Sequence, residues 1–223
     1  MPATRSVLVE AQRLDGWLAR FEERNGSYGF EPATTPPDGS LRIIAANGCT
    51  AVLTPPLPAA TASGATSGGE GVIAYLVPAQ EPTIIVGLLL IRRGGYSVGV
   101  SRGGQVLSSK TGTRYVQGRT AAGGWSQQRF ARRRANQADA LVEETAARAA
   151  ALYRAEAPSC LQLGGDRALA SSTLAEPALA PFAGLPQVPF LTVPDPRFAI
   201  LKEAARTALS VRITVTDPPD PQR

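Results

Sequence analysis

Lys110–Asn136, KTGTRYVQGRTAAGGWSQQRFARRRAN, changes character twice. It opens as a strand (Thr113, Arg114, Tyr115, Val116, Gln117), passes a glycine pair at Gly123–Gly124, and becomes a long helix. The helix is read from its apolar or small positions: Phe130, Ala131, Ala135, Ala138, Leu141, Val142, Thr145, Ala149 and Leu152. Their intervals of three and four residues form one stripe, while Arg132, Arg133, Asn136, Glu143 and Glu144 fall largely outside it. A helix running to about Tyr153 is roughly 40 Å long at 1.5 Å per residue. It is an arm that can carry its own N-terminus away from the core.

Upstream of this stretch, Thr83–Ile91 (TIIVGLLLI) is nearly all apolar, the pattern of a central strand covered on both faces. Tyr96–Ser101 and Gln105 to about Lys110 follow, separated by glycine turns, and predict an antiparallel meander. Downstream, Cys160–Leu163, Arg167–Leu174, Val188–Val193, Arg197–Ala208 and Val211–Thr216 alternate strand, helix, strand, helix, strand. The order predicts an α/β fold, a mixed β-sheet with helices on both faces. Before the apolar strand, Val9–Glu23 has helical spacing at Val9, Leu14, Trp17, Leu18 and Phe21, closed by Asn25-Gly26. Leu41–Leu53 reads as two strands around Asn47-Gly48, a favoured hairpin turn. The run Pro55–Gly71, rich in Pro, Ala, Ser, Thr and Gly, is expected to be a flexible excursion.

Charge is distributed unevenly. The 23 Lys and Arg against 18 Asp and Glu give a net charge of +5. Ten of the basic residues lie between Arg92 and Ala138, where there is no acid. They are Arg92, Arg93, Arg102, Lys110, Arg114, Arg119, Arg129, Arg132, Arg133 and Arg134. The remainder sets 13 basic residues against all 18 acids, a net of −5. One segment at +10 on an otherwise acidic chain is a polyanion footprint.

Histidine is absent, which removes Ser-His-Asp and Cys-His mechanisms and histidine-rich metal sites. Gly124-Trp125-Ser126-Gln127-Gln128 lacks the last glycine of a nucleophile elbow. A metal nuclease would need clustered carboxylates, but Asp139, Glu143 and Glu144 lie mid-helix and Asp166 is isolated. Cys49 and Cys160 share no CxxC spacing and are expected to be buried and reduced. A hydrophobic fraction of 43% without a bilayer-spanning run or secretory signal predicts a cytoplasmic globular protein.

Lys110-(x)3-Arg114-Tyr115, then Gly118-Arg119, then Gly123-Gly124-(x)2-Gln127 and a basic helix resembles the catalytic domain of eukaryotic and archaeal class I peptide release factors, an RNase H-like arrangement. It resembles still more the Vms-like release factors, and among them the actinobacterial branch. The resemblance covers roughly Thr83–Val215. It implies 81–217 as the catalytic domain, with 1–80 (helix, hairpin and excursion) packed on or extending the core and 218–223 a disordered tail. It also implies a peptidyl-tRNA hydrolase that frees nascent chains from stalled large ribosomal subunits, working as a monomer without cofactor, metal or membrane.

The family's catalytic glutamine falls on Gln127, with Gly124 and Gly123 as its loop glycines and Gln128 in reserve. Trp125 and Ser126 interrupt the Gly-Gly-Gln of the termination factors, which argues against stop-codon reading. A literal Gly103-Gly104-Gln105 lies between two strands and reads as a hairpin turn. Lys110, Arg114, Arg119, Trp125, Arg129, Arg132, Arg133 and Arg134 would contact the tRNA acceptor end and large-subunit RNA. Two alternatives stand beside this reading: an endonuclease acting at the tRNA 3′ CCA end, and a non-catalytic ribosome- or RNA-binding module.

Overall fold

The computed structural model describes residues 3–30, 39–57, 76, 84–113 and 125–218, the side chains of 125–135 excepted. They form two compact units, 83–205 and a discontinuous one of 1–82 with 206–223.

The discontinuous unit is a five-stranded antiparallel sheet in the order β1-β10-β4-β3-β2. Its strands are β1 (Thr4–Val9), β2 (Tyr28–Phe30), β3 (Leu41–Ala45), β4 (Thr50–Thr54) and β10 (Val211–Thr216). Alternation explains the pairing. Val211, Ile213 and Val215 stand opposite Val9, Val7 and Arg5 on one side, and Ile213 and Val215 opposite Leu53 and Ala51 on the other. Paired residues share a face, so this set forms the inner side. Helix α1 (Leu14–Asn25) contributes Leu14, Leu18 and Phe21 to the same core. Gly26, at φ +82°, ends the helix and donates to the Glu22 carbonyl; a glycine suits that left-handed position. The Asn47-Gly48 hairpin forms as expected, with the Asn47 side chain accepting from the Cys49 N–H at 2.9 Å.

The helix expected over Val9–Glu23 starts five residues later, because Val9 ends a strand. β1 and β2 were not expected at all. β1 gains its pairing only from residues about 200 positions away, and β2 has three residues, so neither leaves a local signal.

The second unit carries a mixed sheet in the order β7-β6-β5-β8-β9. β5 (Ile85–Arg92), β6 (Gly95–Arg102) and β7 (Gln105–Thr113) are the expected antiparallel meander. β8 (Cys160–Gly165) runs parallel to β5, and β9 (Gln187–Leu191) parallel to β8. β5 is therefore central, and Leu88, Leu89, Leu90 and Ile91 are fully buried. Helix α2 (Trp125–Glu156) packs Leu141, Val142, Ala146, Ala149, Ala150 and Tyr153 onto the face bearing Leu89, Ile91 and Val98, with Ala170 of α3 (Arg167–Leu174) in the same cluster. On the opposite face Gly99 meets Leu201 of α4 (Phe198–Thr207). Helices thus cover both faces of a mixed sheet, as the strand and helix order predicted. β10, which the sequence reading placed with 81–217, pairs inside the other unit. The Pro55–Gly71 excursion from residue 58 onward and the tail from 219 lie outside the described residues.

Candidate nucleic-acid interface and catalytic loop

The Gly103-Gly104 turn that precedes β7 has φ values of +54° and +77°. Two successive positive φ angles are what a tight hairpin turn asks of glycine, so this Gly-Gly-Gln is structural. β7 then leads toward the candidate loop. Lys110, exposed and paired with Val98, lies on the sheet face that α2 crosses. Arg114, Arg119, Gly123 and Gly124 lie outside the described residues.

Trp125 is the first residue of α2, so Gln127 and Gln128 occupy its first turn. The first four backbone N–H groups of a helix have no intrahelical acceptor and sit at the positive end of its dipole. A 32-residue helix places those donors at the end of a rod of about 48 Å. Among the described side chains of α2, burial in the core begins at Leu141, whereas Asn136–Ala140 are exposed or half-buried. Gln127 is therefore about 21 Å along the axis from Leu141, at 1.5 Å per residue. Arg129, Arg132, Arg133 and Arg134 occupy backbone positions between the two.

The anchor is built from glycine-made space. Tyr96 of β6 pairs with Gly112 of β7, and a Cβ on Gly112 would lie 2.5 Å from the tyrosine ring. The ring takes that room, and its hydroxyl donates to Glu144 Oε1 of α2 at 3.1 Å. Burial first, then the Glu144 carboxylate, raises the Tyr96 phenol above its ordinary range, while Arg148 opposes. One helical turn after Ala149, Tyr153 lies against Gly87 of β5, where a Cβ would sit 3.0 Å from its ring. Tyr153 also meets Phe182 edge-on at 5.4 Å between centroids.

Three groups that the sequence presents as candidates have structural work. Asp166 caps α3, accepting from the N–H groups of Ala168 and Leu169 at 3.0 and 3.1 Å. Arg92, one of the ten basic residues, donates to the Val193 carbonyl at 2.9 Å. Cys49 and Cys160 are free and buried as expected, and burial pushes the Cys160 thiol up to about 11. Among the described residues there is no group of three or more acidic or cysteine side chains placed to hold a metal ion.

The model of the Actinobacteria/chloroflexi VLRF1 release factor (acVLRF1) matches residues 85–214, more than half of the chain. The chain belongs to that release-factor family, one of the Vms-like group. Similar solved structures include the Vms1 mitochondrial localization core, at 10% identity, covering 77% of this chain and 74% of that one, with a TM-score of 0.41. The archaeal translation termination factor aRF1 matches at 12% identity over 80% of this chain and 48% of its own, with a TM-score of 0.35. This chain thus spans about half of the archaeal factor. A comparison with curated protein sequences gave no match.

Proposed function

We propose that the protein is a peptidyl-tRNA hydrolase that releases nascent chains from stalled large ribosomal subunits in the cytoplasm, with Gln127 as its catalytic side chain. The observation that carries this reading is the position of Gln127. In a release-factor family member, a glutamine stands in the first turn of a long helix, behind Gly123-Gly124 and ahead of four arginines.

Peptidyl-tRNA is an activated ester, so its hydrolysis needs a positioned water and a stabilised oxyanion more than a strong base. The Gln127 carboxamide, with two donors and one acceptor, orients a water toward the ester carbonyl carbon. The N–H groups of the first helical turn, which have no intrahelical acceptor, stabilise the negative charge that develops on the carbonyl oxygen, with the backbone N–H groups of Gly123 and Gly124 as further donors. The bond from carbonyl carbon to the terminal ribose oxygen then breaks, and the proton from water reaches that oxygen through the neighbouring ribose hydroxyl. Each step suits a chain without histidine. Lys110, Arg114, Arg119, Arg129, Arg132, Arg133 and Arg134 bind the acceptor end and large-subunit RNA, and Trp125 stacks on a base. Gln128, next to Gln127 in the same first turn, is the reserve candidate for the catalytic role.

Release of a labelled nascent chain from purified 50S–peptidyl-tRNA complexes tests the proposal. Gln127→Ala should keep binding within a few-fold and lose release by about 10² or more, the scale of one lost transition-state contact. Unchanged release in that variant would leave a binding module. A shortened tRNA with a cyclic phosphate, in place of intact tRNA with a free 3′ hydroxyl, would reassign the protein to cleavage at the CCA end.

A further inference from the structure

A cavity of about 270 Å³ lies in the discontinuous unit, between α1 and the β1–β10 edge of its sheet. Arg5, Arg20, Arg24, Trp17 and Asn25 supply its polar and aromatic lining, over a floor that includes Val7 and Phe21. Nothing in the release-factor reading uses it. Its chemistry runs against the charge of its surroundings, since this unit (residues 1–82 and 206–223) has eight basic and ten acidic residues, a net of −2.

The helix itself sorts the charges. At about 100° per residue, Trp17, Arg20 and Arg24 fall within about 60° of one another, on the flank facing β1. Leu14, Leu18 and Phe21 form the adjacent buried stripe. The acids Asp15 and Glu22 emerge on the far flank, where both act on Tyr28 of β2 and raise its phenol, after the larger effect of burial. β1 and β2 are opposite edges of the sheet, so the flank of α1 toward β2 carries Asp15 and Glu22 and the flank toward β1 carries the arginines, with exposed Glu23 about 60° from Arg20.

The basic flank is short of counterions. Arg5 pairs with Asp217 at 3.2 Å in an exposed contact, their side chains 67% and 37% accessible. Such exposed pairs contribute little and yield readily to a competing anion. Among the described residues neither Arg20 nor Arg24 has an ion-pair partner. Trp17 stacks on Phe21 at 5.3 Å and 16°, which fixes the indole by one face beside the arginines. Unpaired guanidinium groups at the mouth of a cavity, with a held indole on its wall, match a phosphate followed by an unstacked base.

We propose that this cavity is a second RNA site, which takes the backbone phosphates and one base of a single-stranded segment. The choice of RNA among phosphate-bearing polymers rests on the function proposed above; the anion site itself rests on the cavity.

The test uses full-length protein carrying Trp125→Phe, so that Trp17 is the only tryptophan, and a hexamer of uridine as the probe. Saturable quenching of Trp17 fluorescence is expected. The affinity should fall at least tenfold in Arg20→Ala/Arg24→Ala, and the salt slope of binding should shrink by about 1.4, two phosphates at about 0.7 each for a single strand. Because both arginines are exposed, the double variant should fold, which circular dichroism checks. Quenching should persist in Arg132→Ala/Arg133→Ala/Arg134→Ala, which removes charge from the other unit.

Absence of quenching, quenching indifferent to Arg20 and Arg24, or quenching equalled by inorganic phosphate at the same phosphate concentration overturns the proposal. No nascent-chain release enters this measurement. Loss of release in Gln127→Ala with no Trp17 response would sink the second site alone. Trp17 quenching with unaffected release in Gln127→Ala would sink the catalytic reading alone.

Discussion

Gly165 ends β8 with φ +101°, and a Cβ there would overlap the Ile91 carbonyl oxygen. The same carbonyl accepts from the Asp166 N–H at 2.8 Å, so the close approach sets up the cap of α3. Gly165→Ala combines backbone strain with a steric shift of β5, and should cost about 2–3 kcal/mol. Urea denaturation should show it as a lowered midpoint, with Gly184→Ala as control. A Cβ at Gly184 meets nothing within 4 Å, so that variant should stay within about 0.5 kcal/mol of wild type. Cys160 gives a pH signature. Its thiol ordinarily ionises near 9.0, and in the folded protein near 11. Folding therefore favours the protonated form. The stability this contributes is complete below pH 9 and is lost as pH rises from 9 to 11. The stability difference between wild type and Cys160→Ala, measured by urea titration at successive pH values, should narrow across that window and stay flat between pH 6 and 8. A flat difference up to pH 11 would contradict the burial of this thiol.

At the scale of elements, the long helix was legible because its packing is periodic. Leu141, Val142, Thr145 and Ala149 were read from spacing alone, and each is buried. The meander was equally plain, since β5 is buried on both faces and glycine turns bracket β6. Two things were illegible. Tyr96, Gly112 and Glu144 come from three elements, and nothing local announces that one glycine makes room for the ring that holds α2. The cavity-lining flank of α1 was readable in principle at positions 17, 20 and 24. Its arginines, however, are interleaved with acids along the chain and separate only when wound into a helix. The candidate site was legible as a motif, Gly123-Gly124-(x)2-Gln127, because glycines before a helix carry a physical meaning without any long-range contact. For α2 the consequence is measurable. Arg132→Glu/Arg133→Glu/Arg134→Glu reverses charge in the turns that follow Gln127, with thermal stability as the folding control. Affinity for large-subunit RNA should fall by tenfold or more, and the salt slope by about 2, three contacts at about 0.7 each. Filter binding across a salt series reads both. An unchanged slope would remove these arginines from the interface.

The whole molecule turns on β10. The family match, residues 85–214, takes in all but the first two residues of the unit 83–205 and then most of a strand that folds in the other unit. The chain therefore leaves its first sheet, builds the second, and returns to complete the first between β1 and β4. Val211 and Ile213 are fully buried there and Val215 is 5% exposed. Each side chain is worth about 1.5–3 kcal/mol of burial, and removing the strand also leaves two new edges with unpaired backbone groups. That loss is comparable with the whole stability of a typical domain, about 5–15 kcal/mol. A chain ending at Ala208 should consequently lose the discontinuous unit and keep the sheet of β5–β9. Limited proteolysis under native conditions, read by mass spectrometry, should show new cuts within residues 3–57 while 85–200 stays protected. Continued protection of 3–57 would mean that β1 and β4 close their sheet without β10. Exposure of 85–200 as well would mean that the second unit depends on the first.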